Sequence, residues 1–249
     1  MSLPSPEDLR PVFTAADYLA HQKNVASLAC PRSLILTYQN ILPQYAAHHY
    51  RVYKTRQFGA DLLLLKKFNR QIGILSGFGA GAPATAVIAD LFCALGVERF
   101  LILGMAGGLQ ADLSTGDLIL CAEAIRAEGT SPHYLPEADT VASSESLLTS
   151  LSAALTARNH AHRIGSTWTT DAPFRELRGE VLAHQRRGIL AVDMEAAALL
   201  AVAQANSRSA AAAFAIVDSL ADGAWKMPQD VNPARAGLVA LFESALEAL

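Results

Sequence analysis

Residues 189–198, ILAVDMEAAA, join an apolar strand-like run to a helix that is apolar on every side. The helix shows no polar face before Gln204, and a helix that is hydrophobic all round is buried. Asp193 and Glu195 therefore stand at the start of a buried helix, where unpaired carboxylates are costly. They are either an acidic N-cap, which the positive end of the helix dipole favours, or acceptors for the hydroxyls of a ligand.

The composition predicts a large core and a soluble chain. Of the 249 residues, 51% are hydrophobic and 17% are charged. The net charge of −3, with no run of lysine or arginine, argues against a nucleic-acid partner. No apolar run approaches the roughly 20 residues that span a bilayer, and residues 1–13 are polar and acidic rather than signal-like. We therefore expect a cytoplasmic protein that makes no membrane contact.

The three cysteines, Cys30, Cys93 and Cys121, lie far apart in the sequence and show no metal-ligand spacing. We expect three reduced core residues and no metal site.

Short apolar runs alternate with longer helical ones along the chain, and this order predicts an α/β fold. Strands are predicted at residues 33–37, 61–66, 71–76, 99–103, 117–122, 163–169 and 211–217. Helices are predicted at residues 41–49, 82–95, 144–158 and 233–249. We expect a single domain over residues 1–249, in which helices flank a mixed, mostly parallel central sheet.

Two glycine-rich segments follow predicted strands. In residues 76–83, SGFGAGAP, backbone N–H groups at a helix start can face an anion or a sugar, or the glycines only permit a tight turn. Residues 104–117, GMAGGLQADLSTGD, follow the strand RFLIL at a strand end, where ligands collect in open α/β sheets. We expect Gly79 in the first segment, and Gly104, Met105 and Ala106 in the second, to bind substrate.

Two further segments place an aromatic and an acid at strand ends. In WTTDAPFR, residues 168–175, Phe174 either forms a wall for a flat ring or fills the core beneath a loop. Asp218 follows the apolar strand AAAFAIV. It either caps the next turn or donates a proton, because desolvation favours a neutral carboxyl and such a group is a general acid near neutral pH.

Taken in order, these segments resemble the purine/uridine phosphorylase family. The motifs are GxGxP (79–83), GxxGxLQxxxxxGD (104–117), EGTSPHY (128–134), WTTDAPFR (168–175), VDMEAAAL (192–199) and the strand-end Asp218. The resemblance covers residues 33–225 and implies a nucleoside phosphorylase-like enzyme that cleaves the N-glycosidic bond of a nucleoside. It also implies no cofactor beyond inorganic phosphate as co-substrate, and a homo-oligomer, dimer or hexamer, with residues 1–30 as an extension at the subunit interface.

The resemblance assigns roles to several of these residues. The backbone at Met194 and the Glu195 carboxylate would hold the ribose hydroxyls, for which an ionised acceptor is well suited. Asp218 would protonate or hydrogen-bond N7 of a departing purine, with Phe174 beside the base. The uridine branch uses a Gln-x-Arg pair after the aromatic, whereas residues 174–178 read FRELR. A purine-type base is therefore favoured over uracil.

The phosphate motifs of the family do not recur. Residues 38–40, YQN, replace a GDPxR-like loop, and Ile102 and Met105 stand where an arginine and a hydroxyl are expected. A phosphate dianion would then need another cation, and we expect it from Arg51 or Arg56 of a neighbouring subunit. We expect phosphorolysis to base and pentose 1-phosphate, with hydrolysis by water and nucleoside binding without catalysis as the alternatives.

Overall fold

A ten-stranded sheet organises residues 11–249, the part of the chain that the computed structural model describes. The polar start of the chain and the first third of the predicted extension, residues 1–10, lie outside the described residues. The strands are β1 (Ser33–Leu36), β2 (Val52–Gln57), β3 (Ala60–Leu65), β4 (Ile72–Ser76), β5 (Arg99–Gly108), β6 (Leu118–Ala127), β7 (Thr140–Ala142), β8 (His162–Thr170), β9 (Ala191–Asp193) and β10 (Ser209–Ser219). The helices are α1 (Ala15–Ala20), α2 (Ile41–His49), α3 (Ala82–Leu95), α4 (Glu145–Ala157), α5 (Arg178–Arg186), α6 (Ala196–Ala205) and α7 (Asn232–Ala248).

Five of the strands close into a ring, and the others extend it. Around the ring β5 pairs with β10, β10 with β6, β6 with β8, β8 with β9, and β9 returns to β5. From β5 the sheet continues through β1, β4 and β3 to β2 at the edge. Among the described strands, half of the pairings are parallel and half are antiparallel. The predicted α/β fold with a mixed central sheet is confirmed, although half of the pairings between described strands are antiparallel, where a mostly parallel sheet was expected.

Both faces of the sheet are covered, which explains why its central strands are apolar without alternation. Successive residues of a strand point to opposite faces. In β1, Leu34 and Leu36 pack with α3 and α6, whereas Ile35 packs on the side of α2, α4 and α7. Ile102 in β5 belongs to the first of these two layers and is fully buried.

The strand β5 continues beyond residue 103, where the predicted strand ends, into the glycine-rich segment. It runs to Gly108 beside β10 and β9. A Cβ on Gly107 would lie 2.6 Å from Leu220 Cδ1 and 3.1 Å from Val192 Cγ1. The glycine is therefore required by close packing inside the ring rather than by a turn.

Several other helices and strands have the predicted boundaries, and the difference described here is at an exposed edge strand. The predicted helices at 41–49 and 82–95 match α2 and α3, and Gly96 ends α3 with φ +109°. The strands predicted at 61–66 and 71–76 are present as β3 and β4, which pair antiparallel through a turn at Asn69. The edge strand β2 was not predicted, because its pattern VYKTRQ is mostly exposed and carries charge.

Among the cysteines, Cys93 and Cys121 are buried as expected, but Cys30 is exposed. Cys30 precedes β1 in a loop, where its thiol donates to the Leu95 carbonyl 3.1 Å away. The prediction that it is a core residue is wrong.

Within residues 11–249, no helix is long and apolar enough to cross a membrane.

Candidate active site

A cavity of about 740 Å³ opens at the carboxyl ends of β1, β5 and β10, beside the loops that follow β8 and β9. Its walls include Tyr38, Gln39, Ala80, Gly104, Met105, Ala106, Gly107, Pro173, Phe174, Glu176, Arg178, Asp193, Met194, Glu195, Asp218 and Trp225. Most residues that the sequence singled out therefore meet in one place. Strand ends meet here because β1, β5 and β10 run parallel.

Asp193 is held by its own chain rather than left open to a ligand. Its carboxylate accepts the hydroxyls of Thr167 and Thr169 at 2.9 and 3.0 Å, and the backbone N–H groups of Glu195 and Ala196 at 2.9 and 2.8 Å. Burial raises its pKa, and all four hydrogen bonds oppose that shift by favouring the carboxylate. Asp193 therefore accepts the N–H groups at the start of α6, the structural role of the first of the two alternatives, although the N-cap position itself is occupied by Glu195.

The Glu195 carboxyl, by contrast, has few hydrogen-bond partners in the protein. Its side chain is 7% exposed, and Oε1 accepts one hydrogen bond, from the Gly81 N–H at 2.7 Å. Burial raises its pKa to about 7; the Gly81 hydrogen bond opposes the shift and the negative charge of Asp193 adds to it. A carboxylate with spare acceptor capacity on a cavity wall fits the second alternative, an acceptor for ligand hydroxyls.

Uncharged polar groups lie beside Glu195, at the end of β1. The Tyr38 hydroxyl lies 2.8 Å from Thr85 Oγ1. Burial and the Glu195 charge raise the Tyr38 pKa well above its ordinary value, so the phenol is neutral. Gln39 Oε1 is buried and has no partner among the described residues. We call Tyr38, Gln39, Gly81 and Glu195 the Glu195 cluster.

The second group of polar side chains surrounds Asp218, near the end of β10. The Trp225 Nε1–H donates to Asp218 Oδ2 over 2.7 Å. Glu176 is half-buried on the same cavity. Burial, followed by the negative charge of Asp218, raises the pKa of Glu176 to about 7. We call Glu176, Asp218 and Trp225 the Asp218 cluster.

Phe174 and Trp225 form an apolar rim at the mouth of the cavity. Phe174 is 98% exposed and Trp225 is 67% exposed. Phe174 therefore does not fill the core beneath its loop; that place is taken by Trp168, which is 3% exposed. Met194, Gly104, Met105 and Ala106 line the interior as expected.

Other predicted residues lie away from the cavity walls. Gly79 belongs to the turn after β4 and has φ +101°, but the wall is formed by its neighbour Ala80. Arg51 is exposed just before the edge strand β2, and Arg56 within that strand donates to the Gly59 carbonyl at 3.0 Å. Ile102 is in the core, so it leaves no space for a cation at that position.

Several residues on the cavity were not predicted, among them Glu176, Arg178 and Trp225. The first two come from the segment that leads into α5, whose polar composition gives no helical or strand signal. The available signal was an acid and an arginine two positions apart directly after Phe174. For Trp225 the signal was a large aromatic in a glycine-containing loop seven residues after Asp218.

The chain is similar in sequence to proteins named as nucleoside phosphorylases. Over 148 residues the chain is 30% identical to a guanosine phosphorylase of Halorubrum lacusprofundi. The aligned region covers 59% of this chain and 61% of the relative. Over 95 residues it is 37% identical to a uridine phosphorylase of Thermococcus kodakarensis, covering 38% of this chain and 34% of the relative. The chain thus spans less than two thirds of the length of the curated relatives it matches.

Solved structures match over nearly the whole fold. A uridine phosphorylase from Vibrio fischeri ES114 superposes with a TM-score of 0.75 at 22% identity, covering 88% of this chain and 90% of that one. An AMP nucleosidase from Bacteroides thetaiotaomicron superposes with a TM-score of 0.74 at 26% identity, covering 94% and 97%. A family model described as the phosphorylase superfamily matches residues 43–245, and the chain belongs to that superfamily.

Proposed function

We propose that this protein cleaves the N-glycosidic bond of a purine-type nucleoside, with water as the acceptor of the sugar. The observation that carries this proposal is the pairing, on one cavity, of the buried acceptor Glu195 with the acidic Asp218 cluster. Glycosidic cleavage needs groups that hold the sugar and an acid that protonates the leaving base, and the two clusters supply these types of group.

The Glu195 cluster suits a ribose. The Glu195 carboxylate has capacity for two vicinal hydroxyls beyond its bond to Gly81. Charge-assisted hydrogen bonds of this kind contribute about 1.5–3 kcal/mol each. Gly104, Met105 and Ala106 would lie against the sugar, and Phe174 at the mouth would cover the base.

The charges on the cavity argue for water rather than phosphate. Within residues 11–249 its charged wall residues are four acids, Glu176, Asp193, Glu195 and Asp218, and one cation, Arg178. Met105, Tyr38 and Gln39 bring no positive charge to the Glu195 cluster. A dianion placed there would be desolvated among acids, whereas a neutral water molecule carries no charge for those acids to repel.

Phosphorolysis is the second candidate, favoured by the phosphorylase names of the sequence relatives. It requires a cation from outside the cavity, and the exposed Arg51 of a neighbouring copy would supply it in a dimer or hexamer. Inorganic phosphate would then be the co-substrate. The oligomer and this role of Arg51 stay predictions.

The deciding experiment measures base release from inosine, adenosine, guanosine and uridine in phosphate-free buffer and over a phosphate titration. We expect a free reducing sugar without phosphate, a preference for purines, and incorporation of ¹⁸O from labelled water at C1 of the sugar. Formation of sugar 1-phosphate with saturation at micromolar phosphate would overturn the hydrolytic proposal. Loss of that saturation in Arg51→Ala but not in Lys54→Ala, its neighbour on β2, would establish the second candidate.

Binding of nucleosides without release of any base would establish the third activity, a non-catalytic binding protein. A preference for uridine would overturn the purine assignment that rests on Asp218.

A further inference from the structure

Two opposite charges on the cavity wall come from one short segment of the chain. Glu176 and Arg178 both line the cavity, whereas Leu177 between them does not. The backbone is extended at Glu176 (φ −65°, ψ 101°) and at Leu177 (φ −74°, ψ 136°). Because alternate side chains of an extended chain point to the same side, the acid and the arginine face the cavity together.

The protein itself uses neither of these charged groups. In the described part of the chain, residues 11–249, neither the Glu176 carboxyl nor the Arg178 guanidinium forms a hydrogen bond or an ion pair. The acceptor capacity of the first and the donor capacity of the second are therefore available to a ligand.

The position of Arg178 is set by the loop that joins Asp218 to Trp225. A Cβ on Gly223 would lie 2.6 Å from Arg178 Cγ and 2.9 Å from its Nε. Only a residue without a side chain lets the arginine cross the loop so closely. Arg178 is thus packed against the element that carries the acid and one aromatic of the cavity.

We propose that Glu176 and Arg178 recognise the edge of the base, and that the base they fit is guanine. This inference rests on the proposed function and names the substrate for it, guanosine. Guanine presents an acceptor oxygen at C6 beside two N–H donors, at N1 and on the C2 amine. A carboxylate can accept both N–H groups, and a guanidinium can donate to the oxygen.

Other bases do not satisfy both side chains. Adenine has an amine in place of the C6 oxygen and no hydrogen at N1, so it would turn a donor towards Arg178 and an acceptor towards Glu176. Hypoxanthine lacks the C2 amine and forms one hydrogen bond fewer with the carboxylate. Uracil has one N–H between two carbonyl oxygens, so one oxygen would face the carboxylate. Unpaired polar groups of this kind are what a binding site rejects most strongly.

The rest of the cavity agrees with this orientation of the base. The exposed ring of Phe174, two residues before Glu176, lies at the mouth, where it can cover a flat base. Bases are commonly held by such stacking and recognised by hydrogen bonds at their Watson–Crick edge. Since N7 of a purine is next to the C6 oxygen, a base bound to Arg178 turns N7 towards the loop that begins at Asp218.

The ionisation of Glu176 is coupled to this binding. Burial, followed by the negative charge of Asp218, raises the pKa of Glu176 to about 7. Two N–H donors from the base oppose that shift, because hydrogen bonds to a carboxylate favour its charged form.

Steady-state kinetics on guanosine, inosine, adenosine and uridine test the proposal. In wild type, kcat/KM for guanosine should exceed that for inosine by about 10–100-fold, the effect of one hydrogen bond to a charged group. Adenosine and uridine should be poorer still. A wild-type preference for adenosine, inosine or uridine would overturn the inference, and cleavage of adenosine or inosine would leave the proposed function intact.

Two variants should change different preferences. Glu176→Gln keeps one acceptor oxygen but turns an N–H towards the base, so guanosine should lose about 100-fold and inosine less. Arg178→Met keeps the stem over Gly223 and removes the donor to the C6 oxygen. Guanosine and inosine should then lose about 10–100-fold alike, with adenosine unchanged. Equal losses for all nucleosides would overturn the inference.

Matched controls come from the same region of the chain. Arg175→Met and Glu180→Gln change exposed charges that do not line the cavity. Neither substitution should alter the order of the four nucleosides. A change of that order in either control as large as in Glu176→Gln would overturn the assignment to Glu176 and Arg178.

Binding without turnover separates failure of this inference from failure of the proposed function. The probes are 9-deazaguanosine and 9-deazaadenosine, whose carbon–carbon bond to the sugar is not cleaved, measured by titration calorimetry. Wild type should bind the first at least about tenfold more tightly, and Glu176→Gln should remove that difference. If the protein shows this pattern but cleaves no nucleoside, the proposed function fails and the base recognition stands. Equal affinities in a protein that cleaves purine nucleosides would overturn the base recognition alone.

Discussion

Asp193 and Glu195 are separated by a single residue, yet the fold supplies hydrogen-bond donors to the first carboxylate and leaves most of the second without them. Asp193 accepts four hydrogen bonds from its own chain, and Glu195 accepts one while facing the cavity. Both are nearly excluded from solvent, at 5% and 7% exposure. Burial of an acid therefore does not reveal its role. The number of donors that the protein itself supplies does, because spare acceptor capacity is what a ligand can use.

The largest expected difference between the two acids is in activity. Glu195→Ala should lower kcat/KM by about a thousandfold or more, since it removes charge-assisted bonds to two sugar hydroxyls. The melting temperature of this variant should change little, because the substitution removes a buried carboxylate that accepts only one hydrogen bond from the protein. Steady-state kinetics and thermal unfolding measure both effects. Wild-type turnover in this variant would remove Glu195 from the site; Glu137→Ala, an exposed acid, is the control.

Asp193→Ala should act on stability instead. Four donors lose their acceptor at the start of a buried helix, and we expect the free energy of unfolding to fall by about 4 kcal/mol. Urea unfolding measures this change. Asp193→Asn, which keeps one acceptor oxygen, should lose less. A variant as stable as wild type but inactive would reverse the two roles.

The pH dependence of stability sharpens the contrast. The folded pKa of Glu195, about 7, lies above its ordinary value of 4.5. The stability that Glu195 contributes to the folded protein is therefore fully present below its unfolded pKa and is lost as the pH rises through 7. Relative to Glu195→Gln, wild type should lose about 3 kcal/mol of unfolding free energy across that window. Unfolding curves of both proteins at acidic and alkaline pH measure the difference, and parallel pH dependences would contradict the shift.

The smallest effect concerns the amide that orients Glu195. Gly81 has φ +90°, and a Cβ there would meet nothing closer than Met194 Cε at 4.0 Å. Gly81→Ala should therefore cost about 1–3 kcal/mol of stability, because φ +90° with ψ 167° is a conformation adopted almost only by glycine, and it should lower kcat/KM by about tenfold or less. Gly188→Ala, with φ +76° and open space around it, is the matched control for strain away from the cavity. A loss as large as that of Glu195→Ala would show that the amide itself holds the ligand.

The sequence predicts the parts of the molecule that depend on local pattern. The helix α3 has apolar periodicity, a proline in its first turn and Gly96 at its end, and its boundaries are correct. The buried strands β1, β5 and β10 are continuous apolar runs and were placed correctly. By contrast, Gly104, Gly107 and Gly108 lie beyond the predicted end of β5 at residue 103, because local pattern does not show that neighbouring strands approach too closely for side chains.

The same distinction separates the site residues that the sequence predicts from those that it does not. Met194, Glu195 and Asp218 follow apolar segments, so sequence reasoning brought them together at strand ends. Glu176 and Trp225 lie in polar or glycine-containing loops, and their position depends on how those loops fold over β10. The choice between cap and ligand for Asp193 depends on Thr167 and Thr169 in β8, which the sequence does not place opposite it.

The closed ring of strands has a consequence for how the protein acquires its site. Ser209 in β10 pairs with Arg99 in β5, so the last strand fills the gap between β5 and β6 across a long stretch of chain. Pairings between distant segments form slowly, and until β10 arrives both neighbours present unpaired edges that can capture other chains. Asp218 is carried on that same late strand. A chain without β10 therefore has an incomplete cavity and exposed strand edges, and the pairing of β10 with β5 and β6 ends both conditions.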